Sequence, residues 1–135
     1  MMPSVRSKRF SSGFTVQLDL PYLVLLNEDP LSSDIKIYNI KEGDTIVGND
    51  ENTCEIVVND SNLYESHCLL KNYDGIVTIS QIEDSVCILN NIQINKPTKL
   101  SQGDLIILGS SVFRFNHPQE AAKLREIKQV YILQV

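Results

Sequence analysis

Short apolar runs separated by polar turns fill most of the chain. Residues 22–26 form a continuous apolar stretch that stops at Asn27-Glu28-Asp29-Pro30. Ile35, Ile37 and Ile40 supply β-branched positions before Glu42-Gly43-Asp44 turns the chain. Runs of the same kind follow at 45–48, 55–58, 68–71, 76–79 and 86–89. Asn90-Asn91 reads as a tight turn, because Asn tolerates positive φ better than most residues. Runs at 92–94, 99–100, 104–108 and 112–115 complete the set, with Pro97 just before a short strand, where a missing donor does little harm. About eleven short strands at this spacing predict an all-β, antiparallel sandwich or barrel. Leu105-Ile106-Ile107-Leu108 is apolar on both faces, which predicts a central strand.

The strand pattern ends abruptly after Phe115. Asn116 is a candidate helix cap, with His117 as the first helical residue and Pro118 next, where a missing N–H costs little. Residues 119–129 are rich in good helix formers. Ala121, Leu124 and Ile127/Lys128 share one helical face, expected to dock on the sandwich. Residues 130–135 turn apolar again and read as an extra strand or an exposed end. At the other end, residues 1–20 read as a flexible basic linker or an expression remnant. The expected organisation is therefore 1–20 linker, 21–116 domain, 117–135 helix and tail.

With 135 residues and 42% hydrophobic content, the chain is long enough for one domain with a real core. The formal net charge of −5 is unevenly spread: Arg6, Lys8 and Arg9 stand in an N-terminal stretch without acids, which leaves −8 on the remainder. Such an acidic body repels phosphate backbones and anionic lipid, so nucleic acid and direct membrane binding are not expected. Cys54, Cys68 and Cys87 are an odd set without metal-type spacing. Cys68 and Cys87 lie in apolar runs and read as core residues of a protein from a reducing compartment. Asn59-Asp60-Ser61 matches a glycosylation sequon, read as chance, and no apolar run reaches the roughly 18 residues of a membrane span. A cytoplasmic protein is expected. Catalytic signals are absent: there is no glycine-rich phosphate loop, no His-Glu-x-x-His and no Gly-x-Ser-x-Gly. His67 and Cys68 are adjacent, but neighbouring strand residues face opposite ways, and neither His67 nor His117 belongs to a metal-ligand cluster. No catalytic residue, metal or cofactor is expected, so function must come from surface recognition.

Gly48 at a strand end, the apolar Ile56-Val57-Val58, then Tyr64-Glu65-Ser66-His67-Cys68, then Asn90-Asn91, resemble in order and spacing the forkhead-associated (FHA) domain. That family of eleven-stranded sandwiches binds phosphopeptides through Gly-Arg, Ser-x-x-His and Asn-Gly at its loop tips. Leu26-Asn27-Glu28-Asp29-Pro30-Leu31-Ser32 and Phe113-Arg114-Phe115-Asn116-His117-Pro118 look like the borders of the FHA domain in kinesin-3 motor tails. Glu120-Ala121-Ala122-Lys123-Leu124-Arg125-Glu126 is most similar to the kinesin-3 subgroup carrying PX or START lipid-binding domains. The resemblance runs from about Pro21 to Glu126, and the FHA domain of the pleckstrin-homology protein LL5 competes with it.

The resemblance implies an eleven-stranded sandwich with a C-terminal helix. It puts Asn49 where the family has its phosphate-gripping arginine and Tyr64 where it has serine, with Ser66 nearby. It gives Asn90 the peptide backbone, sets Asn91 in place of glycine and makes His67 the structural residue bracing the tips. Losing a guanidinium removes the bidentate, charge-assisted contact on which phosphate recognition depends. Lys71 is the candidate replacement cation. The expected function is a protein-interaction module of a kinesin-3 tail, for docking, autoinhibition or cargo, with a degenerate phosphopeptide surface at Gly48, Asn49, Tyr64, Ser66, Lys71, Asn90 and Asn91. The alternative is a phosphothreonine reader, in signalling or in an LL5-like protein. Partners would be a protein or phosphopeptide; microtubules and ATP would belong to a motor domain that these residues do not include. The parent would be cytoskeleton-associated, with endosomal or centrosomal placement left open.

Overall fold

The structure, a computed structural model, describes residues 7–9, 15–17, 19–27 and 35–133. Two short strands, β1 (Ser7–Arg9) and β2 (Thr15–Gln17), pair as a hairpin. Then come β3 (Tyr22–Leu25), β4 (Ile37–Asn39), β5 (Gly43–Gly48), β6 (Ile56–Val57), β7 (Cys68–Tyr73) and β8 (Ile76–Gln81). The last strands are β9 (Cys87–Leu89), β10 (Ile92–Ile94), β11 (Thr98–Lys99), β12 (Leu105–Leu108) and β13 (Ser111–Asn116), followed by α1 (Pro118–Leu133). One sheet has the order β10-β9-β12-β13-β3-β4 and the other β11-β8-β7-β5-β6. These two sheets are the predicted eleven-stranded sandwich. One pair departs from an all-antiparallel arrangement: β6 runs parallel to β5, with Ile56 beside Val47 and Val57 beside Gly48.

Period-2 alternation aims one face of each sheet at the other. In β13, Ser111, Phe113 and Phe115 point inward and are buried; in β7, Cys68, Leu70 and Asn72 do. Phe113 and Phe115 are fully buried, and Tyr38 meets the Phe113 ring edge-on at 6.1 Å. Each such aromatic removes roughly 1.5–3 kcal/mol worth of apolar surface from water. The β12 strand is central, between β9 and β13. Its Ile106 and Leu108 enter the core, but outward-facing Ile107 is only half-buried and Leu105 is exposed. Cys68 and Cys87 are core residues as expected, and a hydrogen bond with Cys87, together with burial, pushes the Cys68 thiol well above its ordinary range.

The strand directions give the sandwich two poles. At one, β5 ends at Gly48, β7 begins at Cys68, β8 ends at Gln81 and the β12–β13 turn closes at Gly109 and Ser110. The segments 49–55, 58–67 and 82–86 therefore share this loop pole. At the opposite pole lie the Asp74-Gly75 turn, the Asn90-Asn91 turn and the start of α1.

Four expectations differ from the structure. The helix cap is His117, not Asn116, which is the last residue of β13. The His117 Nδ1 accepts the Glu120 N–H at 3.2 Å, so Nε2 carries the proton and donates to Gly75 O at 2.7 Å. Pro118 thereby occupies the first helical position. Beyond its first turn α1 leaves the sandwich, with Leu124 and Ile127 exposed, so the predicted face does not dock. The backbone is helical through Leu133, so residues 130–133 are not a strand; 134–135 lie outside the described residues. Within the segment read as a linker, the β1–β2 hairpin is anchored to the domain. Gln17 N donates to Asn39 Oδ1 at 2.9 Å, and Asn39 Nδ2 donates to Gln17 O at 2.8 Å. Among the described residues no helix is long and apolar enough to cross a membrane.

Candidate functional site

The loop pole is built around one buried imidazole. His67 is only 3% exposed. Its Nδ1 accepts the Tyr64 N–H at 3.1 Å, so the ring is the Nε2–H tautomer, and Nε2 donates to Val86 O at 2.8 Å. Its backbone N–H donates to Val47 O, and its carbonyl accepts from Ile82 N and from the Ser85 hydroxyl. One residue thus joins the end of β5, the segment 58–67 and the segment 82–86. Its ring partners are the Tyr64 amide and the Val86 carbonyl, rather than groups of the Gly48 turn itself.

Gly48 is held to glycine by close approach. A Cβ there would stand 2.1 Å from Glu65 O and 2.9 Å from Cys54 Sγ, far inside van der Waals contact. Next to it, Asn49 turns its side chain inward: Nδ2 donates to Leu63 O at 2.8 Å and, at 3.4 Å, to Asp60 O. Its backbone N–H donates to Tyr64 O at 3.1 Å. Asn49 is therefore a staple between two loops, with its donors spent on carbonyls. Tyr64 is half exposed, its ring 5.6 Å from His67 and edge-on to it. The Ser66 hydroxyl reaches Thr53 Oγ1 at 3.4 Å.

Gly48, Asn49, Tyr64, Ser66 and His67 are thus brought together. Lys71, Asn90 and Asn91 are not. Lys71 is in register with Asp44 and Thr78, about 10 Å along β7 from Cys68 at the usual rise per residue. The Asn90-Asn91 turn sits at the far pole, because β9 carries the chain from one pole to the other. Both residues have positive φ (50° and 70°), as a tight hairpin turn requires. The Asn90 side chain is engaged there, donating to Asp104 Oδ1 at 3.0 Å and accepting Leu105 N–H at 2.9 Å.

Two residues of the pole escaped sequence reasoning. Ser85 accepts the Ile82 N–H at 3.1 Å and sits against the His67 carbonyl, closing the 82–86 loop. Asp60 latches the 58–67 loop to the β12–β13 turn. It accepts the Ser111 hydroxyl at 2.7 Å, and the Ser110 N–H and hydroxyl and the Asn62 N–H at 2.9 Å each. Burial works against its charge, but the bonds from Ser111, Asn62 and Ser110 outweigh it and hold the carboxyl below the usual carboxylate range. A groove of about 370 Å³ runs beside this latch, lined by Asn27, Lys36, Tyr38, Asn59 and Ser110 among others. The signals were there in part: Asp60 opens an Asx turn onto Asn62, a local habit of Asp. Among the described residues no cluster of His, Cys, Asp or Glu has the makings of a metal site.

A family model described as "Inner membrane component of T3SS, cytoplasmic domain", an FHA-like domain, matches residues 34–119. Among solved structures, the FHA domain of the CT664 protein from Chlamydia trachomatis superimposes with a TM-score of 0.63 at 21% identity, over 71% of this chain and 95% of that one. A chain from a structural and functional analysis of phosphothreonine-dependent FHA domain interactions gives 0.61 at 21% identity, over 71% and 94%. By sequence, kinesin-like protein KIF16B of Homo sapiens is 42% identical over 124 residues, 90% of this chain and 9% of that protein. Kinesin-like protein unc-104 of Caenorhabditis elegans is 44% identical over 109 residues, 78% and 7%. The chain belongs to the FHA family, in its kinesin-3 branch. It spans less than a tenth of the length of these two kinesin-like relatives. An FHA domain is a protein-interaction module and not a catalyst.

The geometry makes two predictions about this FHA domain. His67→Ala leaves the Tyr64 N–H and the Val86 carbonyl without partners, and urea unfolding should show a loss of about 1–3 kcal/mol; an unchanged midpoint would contradict the brace. Asp60 titrates below its unfolded value of about 3.9. Its contribution is therefore complete above that value and is lost as pH falls through the lower native one. Asp60→Asn should lower stability at neutral pH and flatten the acid limb of the stability curve. A limb as steep as the parent's would remove the latch from the account.

Proposed function

We propose that this FHA domain is a docking module in the tail of a kinesin-3 microtubule motor, serving autoinhibition or cargo attachment, with a degenerate phosphopeptide site. The observation that carries the reading is Asn49. At the position of the family's phosphate-gripping arginine stands a neutral amide, and its donors are already bound to the carbonyls of Leu63 and Asp60. Tyr64 replaces the serine, and Lys71 lies too far along β7 to substitute as a cation. Losing two such contacts, each worth about 1.5–3 kcal/mol when charged, moves a micromolar affinity toward the millimolar range. Microtubules and ATP would be partners of a motor domain elsewhere in the parent, which would carry this module on the cytoskeleton.

A second reading, a phosphothreonine reader in signalling or in an LL5-like protein, is favoured by the intact His67 brace, which presents the loops in family fashion. Calorimetry with a phosphothreonine peptide and its unphosphorylated twin separates the two. The docking reading expects the same weak heat from both, with affinity around millimolar or weaker. Micromolar binding that depends on the phosphate would establish the reader instead.

A further inference from the structure

Among the large side chains exposed at the loop pole are Tyr64, at 51%, and Val86, at 45%. They are not on floppy tips. The Tyr64 amide and the Val86 carbonyl bind opposite nitrogens of the buried His67 ring, which fixes the two segments side by side. Two exposed apolar side chains on segments held by one brace offer a small anchor point for a partner.

The charge around the pair says what that partner carries. No Lys or Arg occurs from residue 49 to 70 or from 82 to 86, while these segments hold Asp50, Glu51, Glu55, Asp60, Glu65, Glu83 and Asp84. Three of these acids are used internally: Asp50 in its own turn, Glu55 on Ile46 N, and Asp60 in the latch. The other four, Glu51, Glu65, Glu83 and Asp84, are exposed, and among the described residues none of their carboxylates has a hydrogen bond or ion pair. Glu83 is held at φ 53°, in a tight turn unusual for Glu. A phosphate brought to these two stretches meets unpaired carboxylates, while Lys36 is set in the groove beside Asp60.

We infer that the loop pole docks an unphosphorylated, Lys/Arg-bearing segment of a partner protein, with an apolar side chain of that segment seated on Tyr64 and Val86. This rests on the reading of the pole as a degenerate phosphopeptide site and names the chemistry that site takes instead. The carboxylates of Glu65 and Asp84 flank the apolar pair in sequence and complement the partner's cations. The exposed face of Tyr64 adds a cation–π contact. Complementary charge around a small apolar anchor gives fast, specific and salt-sensitive association.

Fluorescence anisotropy on the whole chain tests it, with three labelled probes: a peptide of Lys and Leu, its twin with Glu in place of Lys, and a phosphothreonine peptide. The Lys/Leu peptide should bind, and its affinity should fall about tenfold or more between low and high salt. The pair Glu65→Lys with Asp84→Lys should weaken binding at least about tenfold, and Tyr64→Ala should weaken it as well. Glu126→Lys, an equal kind of change on exposed α1, should leave it unaltered. The inference falls if the Glu twin binds as well as the Lys peptide. It falls too if Glu126→Lys weakens binding as much as the loop-pole reversals, since attraction would then be to the acidic chain at large. Tight binding of the phosphothreonine probe would instead overturn the degenerate-site reading, whatever the Lys peptide does.

Discussion

A single neutral imidazole decides the shape of the loop pole. His67 gives one ring nitrogen to the Tyr64 amide and the other to the Val86 carbonyl, while its own backbone bonds to Val47 and Ile82. Buried polar groups must be paired, and here the pairing runs between loops from different parts of the chain. No local element could hold them so, because residues 49–55, 58–67 and 82–86 have no ladder of their own at this pole. Gly48 follows from the same constraint. With the 58–67 loop drawn in by the ring, the Glu65 carbonyl sits where any side chain on Gly48 would be. On the far side, Asp60 performs the equivalent task across the two sheets, tying the same loop to Ser110 and Ser111.

This scaffold separates architecture from ligand chemistry. The sandwich is that of an FHA domain, and on the proposed reading its loop pole keeps its brace and its glycine without a phosphate-gripping side chain. The Asn49 amide donates to the Leu63 and Asp60 carbonyls of the 58–67 loop. The negative potential of the surrounding acids works in the same direction. Affinity for phosphate depends on charge-assisted contacts, so a fold can keep its loop geometry while the recognised chemistry changes. For this FHA domain the proposed docking surface would then be set by surface charge and by the exposed Tyr64 and Val86.

Most of the sandwich was legible in the chain because strand periodicity and turn residues are local signals. Leu105 to Leu108 read as a central strand and is one, and Asn90-Asn91 read as a tight turn and has the dihedrals of one. The helix cap was misplaced by one residue because His117 caps through its ring nitrogen, a task usually left to Asn or Ser. The site was only partly legible. Motif order does not say at which pole a loop falls; that depends on the number of strands between loops. Asn90 and Asn91 follow one strand too late to share the pole with Gly48, and Lys71 stands mid-strand rather than at a strand end. Ser85 and Asp60 were missed since their partners, the His67 carbonyl and Ser110–Ser111, are distant in sequence. The apolar positions of α1 predicted a docked face, yet Leu124 and Ile127 are exposed, which shows how weakly helical periodicity alone specifies a partner surface.

The role of Asn49 is the claim on which the account turns, and its own side chain reports it. NMR resolves the Asn49 side-chain amide protons and can follow them as a phosphothreonine peptide is added. Bonded to the Leu63 and Asp60 carbonyls, these protons should exchange slowly with solvent and should not shift on addition. Fast-exchanging amide protons, or a saturable shift in step with the peptide, would show a free donor gripping phosphate and contradict it.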